Sequence, residues 1–113
     1  MYGEPIPGVT THAGFPNPAS DKNLDSLDIY QLLIKRPVST FLFRIRGREW
    51  KSLGIFDDDI AIVDRALDPR KSDLVIWWQE GKDSFMISEF KSVPLGANIW
   101  GVVINTIHQF RKD

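Results

Sequence analysis

Short runs of apolar residues, some alternating with polar ones, fill the chain from about residue 40 onward, and such runs are the mark of strands. Phe41, Phe43 and Ile45 alternate with Leu42, Arg44 and Arg46, which predicts a half-buried strand that Gly47 ends. Ile60-Ala61-Ile62-Val63 predicts a second strand, led in by Asp57-Asp58-Asp59, and Leu74-Val75-Ile76-Trp77-Trp78 a third. Glu80-Gly81-Lys82-Asp83 reads as a turn into a fourth strand at Phe85-Met86-Ile87, and Pro94 and Gly96 punctuate the chain after it. A last strand runs from about Ile99 through Val102, Val103 and Ile104 towards Phe110. Strands this short at this spacing predict a mainly β fold of mostly antiparallel strands. One short helix precedes them, from about Ser26 to Lys35. Leu27, Tyr30 and Ile34 share a helical face there, Asp25 or Ser26 is placed to cap its start, and Pro37 prevents its continuation.

Residues 1–23 have no apolar periodicity. Pro5, Pro7, Pro16 and Pro18 fall there with Gly3, Gly8 and Gly14. Each proline removes a backbone donor and pushes the residue before it into extended conformations. The expected organisation is therefore a flexible N-terminal arm, 1–23, followed by one β domain, 24–113. No internal repeat or low-complexity tract is present.

Composition narrows the function classes. At 113 residues with 42% apolar and 12% aromatic content, the chain suits one small domain with a real core. Fourteen basic against fifteen acidic residues leave a net charge of -1, so no bulk field draws it to nucleic acid or to an anionic membrane. There are no cysteines, which excludes disulfides and Cys-ligated metal and suits a reducing cytosol. No stretch approaches roughly eighteen apolar residues, and the start of the chain does not read as a secretory signal. A cytoplasmic location and no membrane or direct nucleic-acid partner are expected.

The candidate chemistry is sparse. Asp57, Asp58 and Asp59 suggest a metal loop, but further ligands do not recur at calcium-loop spacing, so a turn that caps the following strand is the better reading. His12 and His108 are far apart, which disfavours a ligand pair, and no metal or other cofactor is expected. Trp77 and Trp78 point to opposite faces of their strand, one towards the core and one towards an interface. Arg44, Arg46 and Arg48 alternate along one side and read as a solvated face rather than a phosphate contact.

From about Ala13 to Arg111 the chain resembles the UmuD branch of the LexA-type self-cleaving serine peptidases. Ala13-Gly14-Phe15-Pro16-Asn17-Pro18-Ala19 is similar to the UmuD cleavage region, Cys-Gly-Phe-Pro-Ser-Pro-Ala. Leu32-Leu33-Ile34 before Pro37 matches the short helix after the family's arm. The run from Gly54 to Asp64 resembles Gly-Ile-x-Asp-Gly-Asp-x-x-x-Val-Asp, Asp73-Leu74-Val75-Ile76 matches a strand Asp-Ile-Val-Ile, and Gly101-Val102-Val103-Ile104 matches the closing strand. Five weak motifs in one order make a specific signal. The resemblance implies a LexA/UmuD peptidase-like β domain.

Both catalytic positions depart from it. The family's Ser-Gly-Asp-Ser-Met becomes Arg46-Gly47-Arg48-Glu49-Trp50, which places Glu49 at the nucleophile position. The family's Val-Lys-Lys becomes Ile87-Ser88-Glu89, which places Ser88 at the general-base position. The segment between that strand and Trp100 is also shortened, and the family's Pro-x-Asn hairpin is missing from it. A Ser-Lys dyad needs a buried lysine that surrenders its proton and then takes one from the serine hydroxyl. A carboxylate is a poor nucleophile for an amide. The resemblance thus implies a pseudo-peptidase with no intact catalytic residues and a cleavage-site-like bond at Ala13-Gly14. A hydrogen bond from the Ser88 hydroxyl to the Glu49 carboxylate would plug the former site.

What the resemblance implies for partners is a homodimer, or a heterodimer with an active UmuD-type protein, a UmuC-like Y-family polymerase in translesion synthesis during the SOS response to DNA damage, and a RecA filament. Val102, Val103 and Ile104 are the candidate dimer residues, on what reads as an apolar edge strand. The alternative function is an active peptidase with a displaced dyad, Ser52 or Ser88 with Lys51 or Lys91, cleaving at Ala13-Gly14. A repressor-like or antirepressor dimerisation module is a third reading, against which stands an arm too short for a helix-turn-helix.

Overall fold

A computed structural model describes residues 26–112, so the arm predicted for residues 1–23, including His12, Ala13 and Gly14, lies outside the described residues. Five strands form one sheet: β1 (Thr40–Arg44), β2 (Ile60–Asp64), β3 (Leu74–Trp78), β4 (Met86–Glu89) and β5 (Asn98–Ile107). Their order across the sheet is β1-β2-β5-β3-β4, and every neighbouring pair is antiparallel. The mainly β, antiparallel expectation holds. No helix among the described residues is long and apolar enough to cross a membrane.

The helix α1 spans only Ile29–Leu33. Asp28, not Asp25 or Ser26, caps it, its side chain accepting from the Gln31 N–H. Leu27 and Tyr30 stay exposed and Ile34 is half-buried. The helical spacing is present in the sequence, but among the described residues that face is covered only at Ile34. Pro37 opens a short 3-10 turn that delivers the chain to β1.

The expectation that Val102, Val103 and Ile104 form an open edge is corrected. β5 is the central strand, paired with β2 on one side and β3 on the other: Val102 lies opposite both Asp64 and Val75, and Val103 opposite both Val63 and Leu74. Val102 is buried, while Val103 and Ile104 are half-buried against the two cores. The unbroken run Gly101 to Ile104 carries this signal, because a strand covered on both faces reads apolar throughout rather than alternating. Gly101 fits the same crowding: a Cβ built there would come within 2.6 Å of Val63 Cγ1. Among the described residues, β1 and β4 are the strands with one neighbour each.

Side chains alternate across this sheet to build two cores. On one face Ile45, Ile55, Ala61, Val63, Ile76 and Ile87 pack together. On the other, Val75, Trp77 and Val102 pack beneath Leu67, Phe90 and Val93. Ile45 follows β1 and Ile87 lies on β4, at opposite ends of the strand order, yet they share the first core. The sheet therefore curls, drawing its two outer strands towards each other across that face.

A polar knot fixes the start of β1 to the end of β2. Asp64 is fully buried, and its carboxylate accepts from Ser39 Oγ (2.7 Å), the Ala66 N–H (2.9 Å) and Arg36 Nη1 (3.2 Å). Burial pushes its carboxyl pKa up, but these three donors outweigh burial and hold it below the ordinary 3.8.

Candidate functional site

The curl leaves a cavity of about 260 Å3 on the concave face. Ile45, Ile76 and Ile87 form its floor, Phe43, Trp50, Phe85 and Trp100 its walls, and Arg44 and Arg46 complete the lining. Three of these walls have a local cause. Phe43 points inward from β1 by strand alternation. Trp50 ends the Arg46–Trp50 loop and caps the 3-10 turn Lys51–Leu53, which Gly54 ends in the left-handed conformation (φ +82°). Trp100 is the extra residue of a β-bulge: Ile76 lies opposite Gly101 and Trp77 opposite Ile99, leaving Trp100 without a partner on β3. The bulge aims its indole into the cavity, where Phe41, Phe43 and Phe85 meet it edge-on with centroids 5.5, 5.0 and 6.5 Å away. The Arg65 guanidinium lies 4.3 Å from the indole centre and donates to the Trp100 carbonyl.

Glu49 and Ser88 flank this cavity in sequence but do not meet in a hydrogen bond. Glu49 is exposed, and its carboxylate folds back over Gly47, so that a Cβ there would collide with it. Ser88 follows the cavity-lining Ile87, so its side chain turns to the other face of β4. There its hydroxyl accepts from the Trp77 indole N–H (2.9 Å) and donates to the Glu89 carbonyl (3.2 Å). The one proton that was expected to reach Glu49 goes to a backbone carbonyl instead. Lys91 sits beside Glu89, 3.7 Å between charged atoms, with its side chain 60% exposed. Ser52 and Lys51 are exposed on the 3-10 turn.

The three aspartates form the turn expected of them, and each carboxylate serves a different part of the chain. Asp57 Oδ1 accepts from the Gly47 N–H (2.8 Å). Asp58 accepts from Arg46 (2.6 Å) and Lys112 (2.8 Å), with Arg44 at 3.6 Å. Asp59 is buried, accepting from the Phe56 N–H (2.9 Å) and contacting His108 Nδ1 at 2.5 Å. Aimed at separate partners, they do not converge on a common point, and no group of three His, Cys, Asp or Glu among the described residues is placed to hold a metal. Arg44 and Arg46 are engaged with Asp58 rather than simply solvated. The His108–Asp59 pair was not foreseen; its only trace in the sequence is a histidine just past an apolar strand. Trp77 is buried and Trp78 half-buried.

Residues 5–100 match the family model described as Peptidase S24-like. The chain is similar to Protein ImpA of Salmonella typhimurium, at 31% identity over 98% of this chain and 88% of that protein. It is similar to Protein SamA of Salmonella typhimurium strain LT2, at 32% identity over 88% of this chain and 81% of that protein. Protein MucA of Escherichia coli shares 30% identity over 57% of this chain and 44% of its own length. With its antiparallel sheet and its match along most of the sequence, the chain belongs to the Peptidase S24-like family of LexA and UmuD, among the UmuD-like proteins.

Proposed function

We propose that this protein is a non-catalytic UmuD-like accessory factor of the cytoplasmic SOS response, which dimerises and binds a UmuC-like Y-family polymerase in translesion DNA synthesis. The observation that carries the reading is Ser88. At the position the resemblance gives to the general base stands a hydroxyl on the sheet face away from the cavity, with its proton given to Glu89 and its lone pair to Trp77. Glu49, at the nucleophile position, is an exposed carboxylate that makes a poor nucleophile for an amide. A displaced dyad gains no support, since Lys91 is exposed beside a carboxylate where a general base requires burial away from one.

The binding work of the family remains open to such a chain. Dimerisation, with itself or with an active UmuD-type protein, would use side chains of β5 or the outer strands β1 and β4 rather than a free β5 edge. An active partner, stimulated by a RecA filament, would cut the Ala13-Gly14 bond in trans. Co-expression with a tagged Y-family polymerase subunit tests the scaffold role. The expected result is retention of the whole chain, or of its Gly14-onward form, undiminished by Glu49→Ala or Ser88→Ala. Failure of both forms to be retained, with and without a UmuD-type partner, would overturn it.

A further inference from the structure

We infer that the segment His108–Lys112 is a strap that holds the Arg46–Trp50 loop, and with it one wall of the aromatic cavity, through the three consecutive aspartates. The strap meets the aspartate turn at three points. His108 Nδ1 contacts buried Asp59, Lys112 Nζ reaches Asp58 at 2.8 Å, and the His108 ring stands between Phe56 and Phe110, with centroids 5.4 and 5.0 Å away. A fourth contact, from Arg44 Nη1 to Gln109 Oε1 at 3.4 Å, ties it to the end of β1. The same turn grips the loop from its other side. Asp57 takes the Gly47 N–H, Asp58 takes the Arg46 guanidinium, and Ile45 exchanges backbone hydrogen bonds with Asp59 and Asp58 at 2.7 Å each. Loop and strap are thus joined through three adjacent residues.

Two features make this a device and not ordinary packing. First, Asp58 holds a left-handed backbone (φ +75°), uncommon for a non-glycine residue though more open to aspartate than to most. Here its N–H, its carbonyl and its carboxylate are all engaged, by Ile45, by Arg44, and by Arg46 and Lys112. Its carboxyl is held below the ordinary range, first by the Lys112 hydrogen bond and against the opposing effect of burial. Second, every residue of the strap is exposed, and its hold rests on polar bonds and one aromatic contact with no buried apolar anchor, so it is releasable. Three cations share one carboxylate, and Arg44 and Arg46 repel Lys112 even as Asp58 attracts it. A partner offering a carboxylate to Lys112 would loosen the turn, and through Asp57 and Asp58 the loop that carries Trp50.

Amide hydrogen exchange by NMR on the full chain tests the coupling, whatever the cavity binds, so its failure would leave the polymerase reading untouched. In Lys112→Ala the Ile45, Gly47 and Asp58 amides should exchange about two- to fivefold faster, as loss of one exposed ion pair allows. Lys112→Arg should restore the native rates, and adding His108→Gln to Lys112→Ala should accelerate them further. The β3–β4 ladder amides should stay unchanged throughout. Native rates at Ile45, Gly47 and Asp58 in both alanine variants, or acceleration spread equally over β3 and β4, would overturn the inference.

Discussion

Replacing Asp64 by alanine is expected to lower the unfolding free energy by about 2 kcal/mol in a urea titration. The carboxylate is fully buried and is the acceptor for three donors from three places: Ser39 ahead of β1, the Ala66 backbone and Arg36. Its removal takes a charged acceptor from the Ala66 N–H and from the Ser39 hydroxyl, which keeps only its long 3.4 Å bond to the Arg36 carbonyl, and it empties a fully buried site. The Arg36 side chain is 53% exposed and can return to water, so its charge pair is the smaller part. Asp64→Asn keeps an acceptor for Ser39 and Ala66 and should therefore recover more than half of the loss. The pH dependence has a definite sign. The folded-state carboxyl titrates below 3.8, so its stabilisation is complete above that value and is lost as pH falls through the depressed one. Asp64→Asn should flatten the acid limb of the stability profile without altering the neutral region's slope.

Trp100→Ala is expected to cost about 3 kcal/mol and to remove the cavity's central wall. The bulge sets this residue against three phenylalanines from β1 and the approach to β4, and it is the common ring partner of all three. Without the indole, Phe41, Phe43 and Phe85, already 42%, 39% and 52% exposed, lose their common partner. The Arg65 bond goes to the Trp100 carbonyl and survives, so the bulge itself should persist. Trp100→Phe keeps a ring in place and should lose less than half as much. Chemical denaturation gives the two stabilities. Near-ultraviolet circular dichroism should show the aromatic signal of the cavity falling in the alanine variant and largely kept in the phenylalanine one.

Elements whose signal is local were legible in the chain. Leu74–Trp78 is an apolar run bounded by Asp73 and by the Glu80-Gly81 turn, and β3 occupies those five residues. Asp57 to Asp59 form a turn and β2 starts directly after them. The helix is shorter than its spacing predicts, because a three-and-four spacing shows that a helical face is available, not that anything covers it. β5 is central and not an edge, because an apolar strand needs cover of some kind, and its unbroken apolar run signals cover on both faces. The cavity was out of reach. It exists only because the curl brings Phe43 and Ile45 opposite Phe85 and Ile87, residues about forty positions apart in the chain, and because a one-residue bulge turns Trp100 inward. Glu49 and Ser88 are singled out only by the resemblance of the motifs around them. That they share no hydrogen bond follows from strand alternation at Ile87, once the occupied face is known.

The fold of the family is present, and the proposed role requires that its self-cleaving chemistry is not. Incubating the purified full-length protein at alkaline pH, and separately with a RecA filament and nucleotide, and looking by mass spectrometry for a fragment that begins at Gly14 tests it most directly. The account predicts none from the protein alone, with cleavage appearing only when an active UmuD-type protein is added. A Gly14 fragment from the protein by itself, abolished by Ser88→Ala or Ser52→Ala, would contradict it.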